Sequence, residues 1–210
     1  MVALTTEEEQ IESIKKWWKE NGTSVVVGLV VGFGILIGSN YWVQHNASQR
    51  QNASLEFSQL QDDLRQSRSD AVVTRGEHII NNFSGTPYAA LSAFAIAKLK
   101  VDEGHLLAAR ARLQWVLDNS TQFEFQHMAR LRMATVMLAE GNGEGALTLL
   151  TSTDAGEYLP LYEELQGDIY VALSQPENAR SAYEKALKAN DKGDNNLLRM
   201  KLDNLGGEGV

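Results

Sequence analysis

The sequence predicts an all-α protein with a single N-terminal transmembrane helix followed by a solenoid of helical hairpins. An uncharged apolar stretch of 21 residues lies near the N-terminus. The chain has only three prolines among many Ala, Leu, Glu and Gln residues, which favours helices over a sandwich or barrel. Small residues also recur at the spacing of paired helices. Cysteine is absent, which excludes disulfide frameworks and thiolate metal sites.

Charge excludes a further class of function. The 210 residues include 19 Lys or Arg and 27 Asp or Glu, a formal net charge of −8. A protein that holds nucleic acid needs a basic stripe to neutralise phosphates, and this chain has none. We therefore expect no nucleic-acid partner.

The first segment, residues 1–22, predicts a short amphipathic helix at the membrane surface. Ile11, Ile14 and Trp18 lie on one stripe, and Asn21-Gly22 is a typical helix stop. Anchoring at the lipid headgroups explains this pattern, and docking to a cytoplasmic partner is the alternative.

The second segment, residues 23–43, predicts a transmembrane helix. At about 1.5 Å per residue it reaches roughly 30 Å, the thickness of the hydrocarbon core of a bilayer. Trp17 and Trp18 precede it and Tyr41 and Trp42 close it, as aromatic belts do at the two interfaces.

Two other interpretations of this stretch are weaker. The apolar core of a cleaved signal peptide is about 7–15 residues long and precedes a small-residue cleavage site. Here the core is longer, and Ala47 and Ser48 make a poor site because they follow the aromatic belt. A buried helix of a soluble protein is the second alternative.

Positive charge predicts the orientation of the span. Lys15, Lys16 and Lys19 precede it, whereas only Arg50 lies within twenty residues after it. The positive-inside rule places the N-terminus in the cytoplasm and residues 44–210 across the membrane, which in a bacterium means an inner-membrane protein with a periplasmic domain.

Small residues within the span predict lateral packing against other membrane helices. Gly28 and Gly32 lie four residues apart with Ser24 one turn earlier, and Gly34 and Gly38 form a second pair on another face. This spacing lets helix backbones approach closely. The alternative is that glycine is simply common in membrane helices.

The third segment, residues 44–210, predicts a water-soluble helical domain. It has 16 basic and 22 acidic residues and no second apolar run that could cross a bilayer. Each proline (Pro87, Pro160 and Pro176) falls where a first helical turn begins, which helices tolerate well. Periodicity predicts helices at about 46–67, 71–83, 87–101, 105–118, 123–140, 144–152, 159–173, 176–190 and 196–205.

Small residues twelve positions apart indicate repeated hairpins. The pairs are Ala97 with Ala109, Ala134 with Ala146, and Gly167 with Ala179. The units lie 37 and then 33 residues apart, a period typical of an α-solenoid in which hairpins stack on their neighbours.

The third unit resembles the tetratricopeptide repeat. The matching small and aromatic positions are Gly167, Tyr170, Ala179, Tyr183 and Ala186. The earlier units depart from the pattern, with Lys100 and Met137 at the position of Tyr170. Three degenerate repeats are predicted over about 87–190. A fourth hairpin is predicted within 46–83, around Phe57, Leu60, Leu64, Ile79 and Ile80, and the stripe of Leu198, Leu202 and Leu205 predicts a capping helix.

The first helices of such hairpins line the concave face of a solenoid, which is a surface for binding partners. Helical phase predicts that this face presents Phe94, Lys98, Leu131, Thr135, Glu164 and Asp168. The alternative for the apolar members is that they belong to the core.

Catalytic, cofactor-binding and metal-binding residues are not predicted. The four histidines (His45, His78, His105 and His127) lie apart from one another and from any acidic residue at ligand spacing. The sequence has no phosphate-binding loop and no nucleophile motif. We therefore expect a protein that is not an enzyme.

The order of these parts resembles one family. An amphipathic N-terminus over 11–22, a glycine-rich span that ends at 37–42, and hairpins with Gly167-Asp-Ile-Tyr170 are similar to YfgM, the ancillary SecYEG translocon subunit family of Gram-negative bacteria. The resemblance covers nearly the full length. It implies an inner-membrane scaffold that associates with the SecYEG translocon and the membrane-anchored chaperone PpiD and assists newly secreted proteins.

Two other functions stay open at this point. A regulatory protein could restrain a stress-signalling component through its helical repeats, and a receptor of the tetratricopeptide type could face the cytosol if the orientation were reversed.

Overall fold

The computed structural model describes residues 7–190 and 195–206, and the outer ends of the predicted 1–22 and 44–210 segments lie outside these ranges. Its helices are α1 (Glu7–Arg65), α2 (Ser69–Asn82), α3 (Pro87–Asp102), α4 (Leu106–Asn119), α5 (Phe123–Ala139), α6 (Gly143–Thr151), α7 (Leu159–Ala172), α8 (Pro176–Ala189) and α9 (Asn196–Leu205). A short 3-10 turn, Gly156–Tyr158, precedes α7. The predicted all-α class is confirmed, and the bounds of α2 to α9 agree with the predicted ones within about two residues.

The predicted helix stop at Asn21-Gly22 is wrong, because α1 runs through it without a break. The Asn21 side-chain amide donates to the carbonyl of Trp17, 3.1 Å away and one turn earlier, and so does not compete with the helix. Gly22 lies against the Trp18 ring, where a Cβ atom would come within 3.2 Å of the indole. The helix expected to start near residue 46 is part of the same α1.

The chain divides into two compact units, Met1–Gln51 and Asn52–Val210. In the first unit the described residues form one helix whose apolar side chains are exposed, including Val30, Phe33, Leu36 and Ile37. Such surface is unfavourable in water and favourable in hydrocarbon. Within the described residues, one helix is long and apolar enough to cross a membrane, and it is α1.

The second unit consists of helical hairpins that are all closed by the same type of turn. Two residues after the end of the first helix of each pair (α1, α3, α5 and α7), the turn has a residue with positive φ: Ser67, Gly104, Gly141 and Ser174. At each turn the next amide bonds back to a carbonyl five residues earlier, for example His105 to Lys100 at 2.7 Å. This closure satisfies the last carbonyls of the helix. The four turns lie 37, 37 and 33 residues apart, which matches the predicted period and extends it to the fourth hairpin.

The small residues twelve apart lie in the core, as predicted. Ala97, Ala109, Ala134, Ala146, Gly167 and Ala179 are all buried. At Gly167 a Cβ atom would lie 2.3 Å from Cε1 of Tyr183, so the Tyr183 ring fills the space that the missing side chain leaves. The aromatic and the small position of the repeat are therefore two halves of one contact between α7 and α8.

The ends of the second unit largely follow the prediction. Leu60, Ile79 and Ile80 are buried, and Phe57 packs against the cluster of Leu60 and Ile79, whereas Ile80 belongs to the next cluster along the stack. Leu64, which was expected in the same cluster, is 38% exposed. At the other end α9 packs on α8 through Leu198, Leu202 and Leu205, which confirms its predicted capping role.

A buried carboxylate joins the end of α1 to α2. Asp63 is 2% exposed and accepts hydrogen bonds from Arg68 and, at 2.9 Å, from Arg75. Arg75 also pairs with Glu56 at 3.0 Å. The hydrogen bond from Arg68, followed by that from Arg75, lowers the pKa of Asp63. The buried charge of Asp63 is therefore paired with arginine, and Arg75 is paired with both Asp63 and Glu56.

Candidate partner-binding surfaces

The first candidate surface is formed by the predicted packing residues of the span. Ser24, Gly28, Gly32, Gly34 and Gly38 are all exposed on α1. A Cβ atom placed on any of the four glycines would meet nothing within 4 Å. These positions are therefore open to another helix, and their role in lateral packing stays a prediction.

The second candidate surface lies on the face formed by α3, α5 and α7, the successive first helices of the predicted repeats. An open groove of about 360 Å³ runs between α3 and α5. Its lining brings together three of the predicted residues, Phe94, Lys98 and Thr135. The remaining lining residues are Ala97, Val101, Leu113, Arg132 and Val136. We call this feature the α3–α5 groove.

Arg132 is the charged residue of the groove that the sequence analysis did not predict. Its guanidinium carbon lies 4.7 Å from the centroid of the Phe94 ring, a cation–π arrangement. The Phe94 and Phe125 rings also form an edge-to-face contact, with a centroid distance of 6.0 Å. The sequence does contain a signal that could have found Arg132. Helical phase predicts this face for Leu131, which is the adjacent residue.

Leu131 itself is outside the groove. It is half-buried and packs against the apolar cluster that contains Ala134 and Leu150. Leu131 therefore takes the core alternative, and the next residue of α5, Arg132, lines the groove beside Thr135.

Glu164 and Asp168, the predicted residues of α7, form an internal network instead of an open site. Lys201 of α9 donates to Glu164 at 2.8 Å and to both oxygens of Asp168 at 2.7 and 2.8 Å. The Tyr183 hydroxyl also donates to Asp168, at 2.7 Å. Burial opposes the charged form of Lys201, but these carboxylates outweigh it and raise the pKa of Lys201. Burial and the same carboxylates raise the pKa of Tyr183.

His127 is packed among aromatic side chains of the repeat unit. His127 stacks on Tyr158 with ring centroids 4.5 Å apart, and its Nδ1 lies 2.9 Å from the hydroxyl of Tyr162. In the described ranges no three His, Asp or Glu residues are grouped so that they could hold a metal ion.

Comparison with known proteins identifies the repeat architecture and the family. Residues 15–207 match the family model described as a tetratricopeptide repeat-like domain. The chain is 30% identical over 205 residues to the "Ancillary SecYEG translocon subunit" of Aggregatibacter actinomycetemcomitans, covering 97% of this chain and 100% of that protein. The chain belongs to the YfgM family of ancillary SecYEG translocon subunits.

A second relative agrees with this assignment, and one solved structure agrees with the fold. The protein of the same name from Haemophilus influenzae is 29% identical over 199 residues, which cover 95% of this chain and 97% of that protein. The structure of "MamA 41-end from Desulfovibrio magneticus RS-1" is 17% identical, with a TM-score of 0.53, and covers 73% of this chain and 89% of that chain. At this identity the structural likeness shows the fold alone, and it confirms the repeat architecture of this member of the YfgM family.

Proposed function

We propose that this chain is a non-enzymatic, membrane-anchored scaffold that associates with the SecYEG translocon and with a periplasmic chaperone of the PpiD type. In this function it assists the translocation and folding of secreted proteins. The observation that carries the proposal is the full-length likeness to ancillary translocon subunits in a chain whose apolar helix is exposed to its surroundings.

The exposed apolar helix supports a membrane anchor. The Val, Leu, Ile and Phe residues of the span each favour insertion by roughly 0.3–0.6 kcal/mol at a helix centre, and no charge opposes them. The open glycine positions on two faces would let other membrane helices approach α1 closely. Lateral contacts of this kind are one way to hold the protein beside a translocon.

The repeat unit supports the scaffold part of the proposal. Its α3–α5 groove is open, apolar at its floor and lined by two cations, which suits recognition of a protein segment. The three lysines before the span support a cytoplasmic N-terminus and a periplasmic repeat unit.

Co-purification from membranes tests the association. The tagged full-length chain is solubilised in mild detergent, and we expect translocon and chaperone components to be recovered with it. An unrelated single-span protein with the same tag is the control. Recovery of neither component above that control would contradict the proposal.

Substitutions in the span test which face makes the lateral contact. We expect Gly28→Leu with Gly32→Leu, or Gly34→Leu with Gly38→Leu, to reduce recovery of the translocon while membrane insertion is retained. Each pair is the matched control of the other because both add the same apolar bulk to α1. Unchanged recovery with both pairs would exclude these glycines from the contact.

Cysteine labelling tests the orientation. The native chain has no cysteine, so single cysteines report without background. Glu12→Cys and Thr121→Cys place a thiol at an exposed position in each unit. With an impermeant reagent applied from the periplasmic side we expect labelling at 121 and protection at 12. The reverse pattern would support a cytosol-facing receptor instead.

A further inference from the structure

We propose that the α3–α5 groove binds a partner segment in which an acidic side chain stands next to an aliphatic or aromatic one. The inference rests on the proposed scaffold function, because it names the chemistry of what the repeat unit recognises. It is carried by the shape of the groove and by which charges of this face are already paired.

The floor of the groove is apolar. Phe94, Ala97, Leu113 and Val136 are buried beneath it, at 5% exposure or less. Val101 stands at its edge and is 39% exposed. An aliphatic or aromatic side chain that enters would cover this edge and part of the Phe94 ring, which removes apolar surface from water.

Arg132 provides the polar part of the recognition. Its guanidinium lies over the Phe94 ring and makes no ion pair with any residue in the described ranges. A guanidinium that stacks on an aromatic face keeps its in-plane N–H donors free, and these fit the two oxygens of a carboxylate. The geometry therefore presents an anion-binding group directly beside an apolar floor.

Lys98 adds a second cation that can change partner. Its ammonium group lies 2.7 Å from Asp102, but the two side chains are 73% and 58% exposed. Exposed pairs of this kind contribute little to stability, so a carboxylate in the groove can compete for Lys98.

The charges of the same face indicate an acidic ligand rather than a basic one. The charged residues that line the groove are both cations, although the whole chain has a net charge of −8. The carboxylates on α7, Glu164 and Asp168, are both engaged by Lys201 and so are not free to pair with a basic ligand at the groove. Complementarity therefore favours a segment that brings its own carboxylate.

Peptide binding to the full-length chain in detergent micelles tests the proposal. The probe is a fluorescein-labelled peptide, Gly-Ser-Leu-Glu-Phe-Glu-Leu-Ser-Gly, and binding is followed by fluorescence anisotropy. We expect saturable binding that weakens as salt increases. Replacement of both Glu by Gln, or of Leu and Phe by Ser, should weaken binding by about tenfold or more, since both parts contribute.

Variants of the protein locate the site. Arg132→Gln should weaken binding of the probe about tenfold, and Arg132→Lys should weaken it less because the charge remains. Arg199→Gln is the control, because it removes the same charge from an exposed position on α9 and should leave binding unchanged. Arg132 is itself exposed, so the unfolding midpoint should be the same in all three variants.

Several results would overturn the inference. Equal binding of the Gln peptide, or equal loss in Arg132→Gln and Arg199→Gln, would exclude a specific carboxylate site. Self-association of the wild type that Arg132→Gln abolishes would show that a second copy occupies the groove. If the probe fails to bind while membranes still yield the translocon, this inference falls and the proposed function stands. If co-purification fails, the proposed function falls whatever the peptide does.

Discussion

Two helical glycines, Gly34 in the first unit and Gly167 in the second, have opposite surroundings. At Gly34 in the span an added Cβ atom would meet nothing, whereas at Gly167 it would enter the ring of Tyr183. Apolar side chains divide in the same way, with Phe33 60% exposed and Tyr162 1% exposed. At Gly34 the missing side chain leaves open surface, and at Gly167 it makes room for a neighbour within the same chain. A glycine therefore indicates a contact only when its surroundings are known.

The largest expected effect comes from a charge at the centre of the span. Phe33→Arg replaces a favourable residue by one that costs about 3 kcal/mol at a helix centre. We expect a clear loss of full-length protein from alkali-washed membranes, measured by immunoblot. Thr121→Arg, at an exposed position of the repeat unit, should leave the membrane fraction unchanged. Recovery of the wild type in the aqueous fraction would contradict insertion of the first unit into the membrane.

The next effect is steric and lies inside the repeat unit. Gly167→Ala should destabilise this unit by about 1–3 kcal/mol, measured as the free energy of unfolding in urea, because overpacking forces the structure to shift. The Tyr183 ring cannot simply move away, since its hydroxyl is held by Asp168 at 2.7 Å. A helical Gly→Ala change without a clash is stabilising. A gain in stability would therefore show that the added methyl group does not clash with the Tyr183 ring.

Two controls sharpen this prediction. Gly34→Ala should leave the unfolding of the repeat unit unchanged, because nothing lies near that position. In a background of Tyr183→Leu, the additional change Gly167→Ala should cost much less than it does alone, because the ring is gone. Equal costs in both backgrounds would show that the two residues do not interact.

A smaller effect is expected at the docking of α9. Lys201→Met removes the ion pairs to Glu164 and Asp168 but keeps the apolar stem, and should cost about 1 kcal/mol because the pairs are partly exposed. Lys185→Met is the matched control, since Lys185 is exposed and its nearest carboxylate oxygen, on Glu163, is 3.9 Å away. A chemical denaturation series compares the two, and equal costs would contradict a specific role for Lys201.

The last effect concerns Asp63 and requires a pH series, because the titration of this carboxylate lies in acid. Its pKa is lowered from 3.8, so the stabilisation from its arginine pairs is complete above that value and is lost as pH falls through the lower folded pKa. Unfolding measured between pH 6 and 2 should therefore show a loss of stability in acid that is reduced in Asp63→Asn. An acid profile identical to that of the wild type would exclude this carboxylate as a contributor.

The fold was largely predictable because its signals are local. The prolines Pro87 and Pro176 begin α3 and α8, and Pro160 lies in the first turn of α7. The small residues twelve apart are fixed by the close crossing of two adjacent helices. The predicted helix stop at Asn21-Gly22 was wrong because the Asn21 side-chain amide bonds back to the preceding turn, which is compatible with a continuing helix.

The candidate site was predictable only in part because it depends on how neighbouring helices are rotated. Helical phase predicts Phe94, Lys98 and Thr135 for this face and all three line the groove, but on α5 the groove is lined by Arg132 and not by its neighbour Leu131. Glu164 and Asp168 looked free because no local pattern indicates that Lys201, more than thirty residues later, reaches them. Long-range side-chain pairs of this kind require the tertiary structure.

The shared turn at Ser67, Gly104, Gly141 and Ser174 has a consequence for how the repeat unit assembles. Each hairpin closes through amides and carbonyls only a few positions apart and then packs on the hairpin next to it. Proteins dominated by such short-range contacts fold quickly, because little loop entropy is lost before the contacts form. The repeat unit can therefore begin folding while most of its own chain is still unavailable, one pair of helices at a time.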